Sequence, residues 1–271
     1  MGLILNDASG IKSKSAFNAI KAKAHPVLGR LKRGIDANAA LKIETLSLHN
    51  CDEIEDLNFL RFLPNLKSLH VHSKNLSDVS GLRHLTKATG ITLESDWRGG
   101  VDISALSNCR ELEELEIYPT ITSADDEPHI SASGRGWSTL RDLPGLQLLD
   151  IGDMGVSDIS FLRHLTLLED VCLAGNPITD LTPLQGHPTL SEIDLSSCGI
   201  DDISVLATIP NIRHLALAEN RIKDFSPLRE MKNLISVDAH GNGLSQAEIA
   251  KWESELQHIE DLCFEDEDCE D

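Results

Sequence analysis

Apolar and polar residues alternate in short segments that recur at a nearly constant distance along the chain. The second apolar position of each leucine-x-x-leucine-x-leucine unit serves as an anchor, and the anchors are Leu46, Leu69, Ile91, Leu115, Leu149, Val171, Ile193, Leu215 and Val237. Successive anchors lie 23, 22, 24, 34, 22, 22, 22 and 22 residues apart. Alternation of this kind is typical of a half-buried strand. Because one such strand cannot bury its apolar side alone, the pattern predicts stacked repeats with a parallel sheet on one face and turns on the other.

Two of the repeats carry a recognisable motif. Residues 176–184 read Asn-Pro-Ile-Thr-Asp-Leu-Thr-Pro-Leu, and residues 220–228 read Asn-Arg-Ile-Lys-Asp-Phe-Ser-Pro-Leu, so five of their nine positions are identical. This motif resembles leucine-rich repeats of the 22-residue class that SDS22-like phosphatase regulators and internalins share. The resemblance implies an α/β repeat solenoid, a horseshoe or arc with a parallel concave sheet, nine rungs and helical caps at both ends. It also implies a scaffold that binds proteins.

The flanking sequences predict caps for the two ends of the solenoid. Ser245 and Glu248 form a capping-box pattern, which predicts the start of a helix with an apolar face. Four segments are therefore predicted: an N-terminal helical cap over 1–40, leucine-rich repeats over 41–244, a C-terminal capping helix over 245–264 and an acidic tail over 265–271.

Three recurring side chains have structural interpretations. The position five residues after an anchor is predicted to bond the backbone of neighbouring turns, as the resemblance implies, and it holds Cys51, Asn176, Cys198, Asn220 and Asn242. A recurrent aspartate is predicted to cap a short helical turn rather than to bind calcium, which needs six to eight converging oxygens. It occurs as Asp56, Asp78, Asp102, Asp158, Asp180, Asp202 and Asp224. A basic column on the turn side is interpreted as a solvated, salt-bridging face or as a second binding surface, and it comprises Arg61, Arg83, Arg141, Arg163 and Arg229.

No catalytic motif is present. The sequence contains no G-x-S-x-G, phosphate loop, H-E-x-x-H or C-x-x-C pattern, so we predict no enzyme activity and no cofactor. His49, His70, His72 and Glu94 fall on neighbouring rungs and offer a metal site as one interpretation. Solvated or hydrogen-bonded histidines are the other interpretation.

Charge and composition exclude several classes of partner. The chain has 44 acidic and 24 basic residues and a net charge of −20, which disfavours nucleic acid and anionic membranes. No run approaches the ~20 apolar residues of a membrane span, and the N-terminus matches neither a secretory nor a myristoylation signal. The six cysteines are widely scattered. We therefore expect a cytoplasmic location and a chain that is monomeric when free.

The outward strand positions form the candidate binding face. They lie one residue before, one after and three after each anchor, and none of these 27 positions holds Lys or Arg. Eight are acidic: Glu94, Glu114, Glu116, Asp150, Asp170, Glu192, Asp194 and Asp238. Like charges on adjacent strands oppose folding, which indicates a functional surface, with plain solubility as the alternative.

An aromatic corner adds candidate anchors to this face. The repeat is lengthened after Ile91 and Leu115, and the second insertion predicts a loop over 122–136. Trp97 and Tyr118 lie beside these insertions and are predicted to bind the partner, because aromatic residues dominate interface hot spots. Trp137 is a further aromatic residue there, and its register also allows a place in the core.

The sequence therefore predicts a non-enzymatic protein–protein interaction module that binds a basic partner protein. One alternative is an inhibitor or immunity protein that blocks a cationic toxin or nuclease site. The resemblance to SDS22-like proteins implies a phosphatase regulatory subunit as another form. A metal sensor that uses the histidine cluster and a passive structural spacer are the alternatives from other classes.

Overall fold

The computed structural model describes residues 40–52, 54–97, 100–120 and 134–265. The predicted N-terminal cap, most of the 122–136 loop and nearly all of the acidic tail lie outside these residues. The chain divides into two compact units, with the boundary between Leu146 and Gln147. The described residues form four strands in the first unit and six in the second.

In the first unit, four parallel strands follow one another in chain order. They are β1 (Thr45–Leu48), β2 (Ser68–His72), β3 (Gly90–Ser95) and β4 (Glu114–Pro119). The anchors pair with each other in register, Leu46 with Leu69, Leu69 with Ile91, and Ile91 with Leu115. On the opposite side lie 3₁₀ turns at Asn58–Phe62, Ser80–His84, Ser104–Asn108 and Trp137–Asp142.

The second unit continues the same pattern with shorter strands. They are β5 (Leu148–Asp150), β6 (Asp170–Cys172), β7 (Glu192–Asp194), β8 (His214–Ala216), β9 (Ser236–Asp238) and β10 (Asp261–Cys263). Each neighbouring pair is parallel, with the predicted anchors in register from Leu149 to Val237. The turn side carries 3₁₀ turns at Ser160–His164, Thr182–Leu184, Ser204–Thr208 and Ser226–Glu230. The predicted leucine-rich repeat solenoid is confirmed.

The C-terminal end differs from the prediction in one respect. Helix α1 (Gln246–Glu255) begins at the predicted capping box, with Ser245 as the N-cap and Glu248 bonding back to it. The helix ends at Glu255, however, and strand β10 follows and pairs with β9. The backbone of β9 would otherwise lack partners on that side, and Cys263 O accepts a hydrogen bond from Ala239 N at 2.8 Å.

The core of each unit lies between the sheet and the turns. The anchors are at most 3% exposed, as predicted, and Cys109 is buried in the same core with no exposed surface. Burial raises the pKa of the Cys109 thiol to about 12, so it stays protonated and behaves as an apolar side chain.

The recurrent aspartates open the turns, but one residue earlier than an N-cap. In each case the carboxylate accepts a hydrogen bond from the backbone N–H two residues later, as Asp78 does from Ser80 at 2.8 Å and Asp202 from Ser204 at 2.8 Å. The apolar residue between them occupies the N-cap position itself. Hydrogen bonds from the side chain and then the backbone of Ser80 lower the pKa of Asp78, and those from the backbone and then the side chain of Ser204 lower the pKa of Asp202. The aspartates therefore bond the first backbone N–H of each turn, but the predicted N-cap position is wrong by one residue.

Buried asparagines connect successive repeats in the second unit, as predicted. The Asn220 Nδ2 donates to the carbonyls of Leu195, Leu217 and Ala218, and its Oδ1 accepts from two backbone N–H groups. Asn176 and Asn242 make equivalent contacts, and the Cys198 thiol donates to backbone carbonyls from the same position. These side chains satisfy backbone groups that the turns leave without partners.

One buried histidine breaks the apolar pattern on the turn side. His187 is 4% exposed; its Nε2 donates to Leu165 O at 3.1 Å, and its Nδ1 is buried without a hydrogen-bond partner. Desolvation lowers the pKa of His187, and the hydrogen bond to Leu165 opposes this shift only in part. The stability contributed by neutral His187 is complete above the unfolded pKa near 6.5 and is lost as the pH falls below it.

We therefore expect His187→Leu to raise the free energy of unfolding by about 1 kcal/mol at pH 7, because it removes an unsatisfied buried nitrogen. The stability gained by the variant should be larger at pH 5. At that pH the unfolded wild type binds a proton at His187 that its folded state resists, whereas the leucine variant has no such group. Urea denaturation at both pH values measures this. An equal loss of stability between pH 7 and pH 5 in both proteins would contradict the prediction.

Candidate protein-interaction surface

The outward strand positions form a polar face in each unit, which we call the sheet face. Strand burial alternates as the anchors require, for example partly exposed Asp170, buried Val171 and partly exposed Cys172. The sheet face of the first unit carries Glu94, Glu114, Glu116 and Tyr118. That of the second unit carries Asp150, Asp170, Glu192, Asp194 and Asp238.

Three aspartates on the second sheet face are held by the backbone at the ends of their strands. Asp150 accepts a hydrogen bond from Gly152 N at 3.0 Å, and Asp194 accepts one from Ser196 N at 2.8 Å. Asp238 accepts from His240 N at 3.2 Å, and His240 Nδ1 lies 2.7 Å from the same carboxylate. These contacts fix the directions of the carboxylates, so part of their role is structural.

Like charges crowd the second sheet face. Desolvation raises the pKa of Asp170, and the charges of Glu192, Asp150 and Asp194 raise it further. Asp153 shows the same direction for the same reasons, with Asp150 and Asp194 as its charged neighbours. Asp153 was not among the predicted site residues. It occupies the turn position that Gly175 holds in the following repeat, and its φ of 56° lies in the left-handed region that favours glycine. A non-glycine residue at this position was the signal in the sequence.

Desolvation and this crowding make the charged form of Asp170 lower the free energy of unfolding at neutral pH. Its folded pKa is above the unfolded value of 3.8, so the cost applies above the folded pKa and disappears as the pH falls toward 3.8. We expect Asp170→Asn to raise the free energy of unfolding at pH 7 by roughly 0.5 kcal/mol, as for relief of a like-charge pair between strands. The gain should vanish near pH 4 in urea denaturation.

Asp202→Asn is the matched control for this measurement. Because hydrogen bonds from Ser204 lower the pKa of Asp202, its charged form stabilises the fold above the unfolded pKa. Asp202→Asn should therefore lower stability at pH 7, opposite in sign to Asp170→Asn. A loss of stability in both variants would contradict the assignment of crowding to Asp170.

An open depression lies on the second sheet face between β6 and β9. Its volume is about 210 Å³. Ile193 and Leu215 lie beneath it, and its lining includes Asp170, Glu192, Asp194, His214, Ala216, Ser236 and Asp238. The side chains of Ile193 and Leu215 face the core, so the groups that border the depression on the sheet face are mainly polar and acidic.

The first sheet face combines carboxylates with histidines. Thr92 Oγ1 donates to Glu116 Oε2 at 2.9 Å, and His72 Nδ1 lies 3.7 Å from Glu94 Oε2. The His49 and His70 rings lie with their centroids 4.5 Å apart and their planes tilted by 44°. Desolvation, followed by the charge of His49, lowers the pKa of His70. Within the described residues, no three His, Cys, Asp or Glu side chains are grouped so that they could hold a metal ion.

The aromatic corner differs from the expectation at Trp97. The indole is 2% exposed, and its Nε1 donates to Tyr118 O at 2.9 Å. Packing inward removes the large ring from water and still satisfies its N–H, so Trp97 supports Tyr118 instead of offering a contact surface. Tyr118 remains partly exposed on β4, and Trp137 is 9% exposed and fills the core position that its register allows.

The arginine column on the turn side engages in local contacts. Arg163 donates to Thr182 Oγ1 at 3.2 Å, Arg229 pairs with Glu255, and the Arg61 guanidinium lies 4.6 Å from the Phe62 ring centroid. These contacts agree with a solvated, salt-bridging face. None of the helices among the described residues is long and apolar enough to cross a membrane.

Comparison with known proteins gives structural matches alone. No family model matches the chain, and neither does any curated protein sequence. Internalin C2 from Listeria monocytogenes matches with 26% identity and a TM-score of 0.69, over 84% of this chain and 93% of that one. An internalin encoded by inlF in the same species matches with 18% identity and a TM-score of 0.54, over 97% and 92%. A leucine-rich repeat protein from Leptospira interrogans matches with 14% identity and a TM-score of 0.59, over 84% and 62%. The last two matches show the fold alone.

Proposed function

We propose, from the premise that this chain is a leucine-rich repeat protein of the internalin-like type, that it is a non-enzymatic module whose acidic sheet faces bind a basic partner protein. The fold is typical of protein–protein interaction. The chemistry of the partner is inferred from the charges on the faces.

The observation that carries the proposal is the exclusion of cations from the sheet faces. None of the 27 outward positions holds Lys or Arg, whereas eight hold Asp or Glu. The turn side of the same repeats does carry arginines, at the ends of the 3₁₀ turns. The sheet faces therefore differ in charge from the rest of the surface, as a docking surface for a cationic protein requires.

Solubility alone explains this distribution less well. Acidic residues serve solubility from any exposed position, and spreading them would avoid the like-charge repulsion that adds to desolvation in raising the pKa of Asp170 and Asp153. Their concentration on adjacent strands costs stability, and a basic partner would remove that cost on binding. Surface groups that lower the stability of the fold are typical of functional sites.

The dimensions of the second sheet face suit a protein partner. Six strands spaced by about 4.8 Å extend over roughly 25 Å, which accommodates a large part of a standard interface near 800 Å² per partner. The first unit has candidate contact residues of its own: Glu114, Glu116 and the partly exposed ring of Tyr118, with Glu94 beside Tyr118 on β3. The acidic field would mainly accelerate association and reject acidic proteins.

A cytoplasmic location is part of the proposal and has one observation against it. Cys109, Cys172 and Cys198 are reduced thiols, as expected in a reducing compartment. Cys263, however, is disulfide-bonded, and disulfides persist mainly in oxidising compartments. Cell fractionation of the native host tests the location, and recovery of the protein outside the cytoplasmic fraction would contradict it.

The experiment that tests the function is capture of partners from a native lysate at low and high salt. Wild type is compared with Asp194→Lys/Asp238→Lys, and bound proteins are identified by mass spectrometry. A basic protein that binds wild type, is released by salt and is lost with the variant supports the proposal. A partner that the variant retains at both salt concentrations would place the binding site elsewhere.

A further inference from the structure

One column of the second sheet face alternates between acidic and small side chains. Strand pairing places Ala216 directly between Asp194 on β7 and Asp238 on β9. With strands about 4.8 Å apart, the two aspartates stand roughly 10 Å from each other, with only a methyl group between them. The depression of about 210 Å³ lies over this position.

The neighbouring triplet in the same column gives an internal comparison. Cys172 lies between Asp150 and Asp194 in the same register. Its thiol occupies the space between them, with Sγ 3.9 Å from Asp194 Oδ2. The Cys172 position does not line the depression, whereas Ala216 does. Each triplet has an aspartate on either side, with Asp194 common to both, and the two differ in the volume of the central side chain.

The carboxylates on either side of Ala216 are already oriented. Backbone N–H groups of Ser196 and His240 hold Asp194 and Asp238, and the His240 ring adds a second contact to Asp238. A cation that enters between them therefore meets groups whose rotamers need little further ordering, which reduces the entropic cost of binding.

We propose that the partner protein inserts an arginine side chain into the depression over Ala216, between Asp194 and Asp238. This inference rests on the proposed function and specifies how the basic partner is anchored. The planar guanidinium has five N–H donors directed to both edges, so one group can reach carboxylates on opposite sides. A lysine ammonium is a compact point charge. It is smaller than a guanidinium, so it cannot hydrogen-bond both carboxylates at the same time as well as a guanidinium can.

The test uses a small probe in place of the unidentified partner. N-acetyl-arginine amide and N-acetyl-lysine amide are titrated separately into the full-length protein, and backbone amide shifts are followed by NMR. We expect the arginine probe to shift the amides of Asp194, Ala216 and Asp238 more than those around Cys172. The lysine probe should bind about fivefold more weakly, because it forms fewer charge-assisted hydrogen bonds.

Ala216→Met separates the depression from the charge. It fills the space without changing any carboxylate, so binding of the arginine probe should fall by about tenfold, the change expected when a charged pair is blocked. Ala207→Met is the matched control, because Ala207 is exposed on a 3₁₀ turn of the same unit, and it should bind as wild type does. Circular dichroism confirms that both variants are folded.

The outcomes distinguish the anchor from the wider function. Equal shifts at all acidic residues, equal binding of both probes or full binding by Ala216→Met would each overturn the arginine anchor. If Ala216→Met also retains the lysate partner while Asp194→Lys/Asp238→Lys loses it, the basic-partner proposal stands without the anchor. If the charge-reversal variant retains the partner as well, both proposals are wrong.

Discussion

Asn220→Ala should destabilise the protein by about 3–5 kcal/mol, because it leaves several buried backbone groups without partners at once. The side chain is 6% exposed. It bonds the carbonyls of Leu195, Leu217 and Ala218 at 2.8–3.0 Å and accepts from two backbone N–H groups. The alanine methyl can replace none of these contacts, and the site is too enclosed for bulk water to do so.

Urea denaturation followed by circular dichroism measures the loss. Asn233→Ala is the matched control, because the Asn233 side chain also bonds a carbonyl, Pro210 O at 2.8 Å, but at an exposed position. It should cost less than about 1 kcal/mol, since water can replace the contact. Asn220→Cys should recover part of the loss, because Cys198 bonds carbonyls from the equivalent position. A cost below about 1 kcal/mol for Asn220→Ala would contradict the role assigned to these asparagines.

Asp194→Lys/Asp238→Lys should weaken binding of the basic partner by at least about 100-fold, since like charges facing each other across an interface cost several kcal/mol. Each substitution replaces a carboxylate on the second sheet face with an ammonium. If the two aspartates lie at the rim of the interface, the variant should mainly lower the association rate. If they are buried in the complex, it should mainly raise the dissociation rate. Surface plasmon resonance with the captured partner measures both rates.

The control variant carries the same change of net charge elsewhere in the second unit. Glu230 and Glu253 are exposed on the turn side and on α1. Glu230→Lys/Glu253→Lys should therefore reduce affinity by less than about tenfold, through long-range attraction alone. Equal losses in the two double variants would mean that net charge, and not the sheet face, determines binding.

The repeat architecture was predictable because it follows from local pattern. The spacing of the anchors determined the register, and every anchor pairing within a unit agrees with it. The asparagine position and the capping aspartates were also predictable, since each recurs at a fixed distance from its anchor. Ser245 and Glu248 indicated the start of α1 for the same reason.

The departures arise where tertiary contacts override local pattern. The sequence predicted that the C-terminal helix would continue to residue 264, but the exposed edge of β9 recruits residues 261–263 as β10. Trp97 stood in an insertion typical of an exposed loop, yet burial of its ring places it in the core. Hydrogen bonds from the backbone to Asp150, Asp194 and Asp238 depend on turn geometry, which residue type alone does not specify.

The association rate of the captured partner as a function of salt concentration shows whether the acidic sheet face is the binding surface. Wild type, Asp194→Lys/Asp238→Lys and Glu230→Lys/Glu253→Lys are compared from low to high salt. We predict that the association rate falls steeply with salt concentration for wild type and for Glu230→Lys/Glu253→Lys. For Asp194→Lys/Asp238→Lys we predict a low association rate that hardly depends on salt. A rate that is insensitive to salt in wild type, and unchanged in the sheet-face variant, would contradict the acidic sheet face as the binding surface.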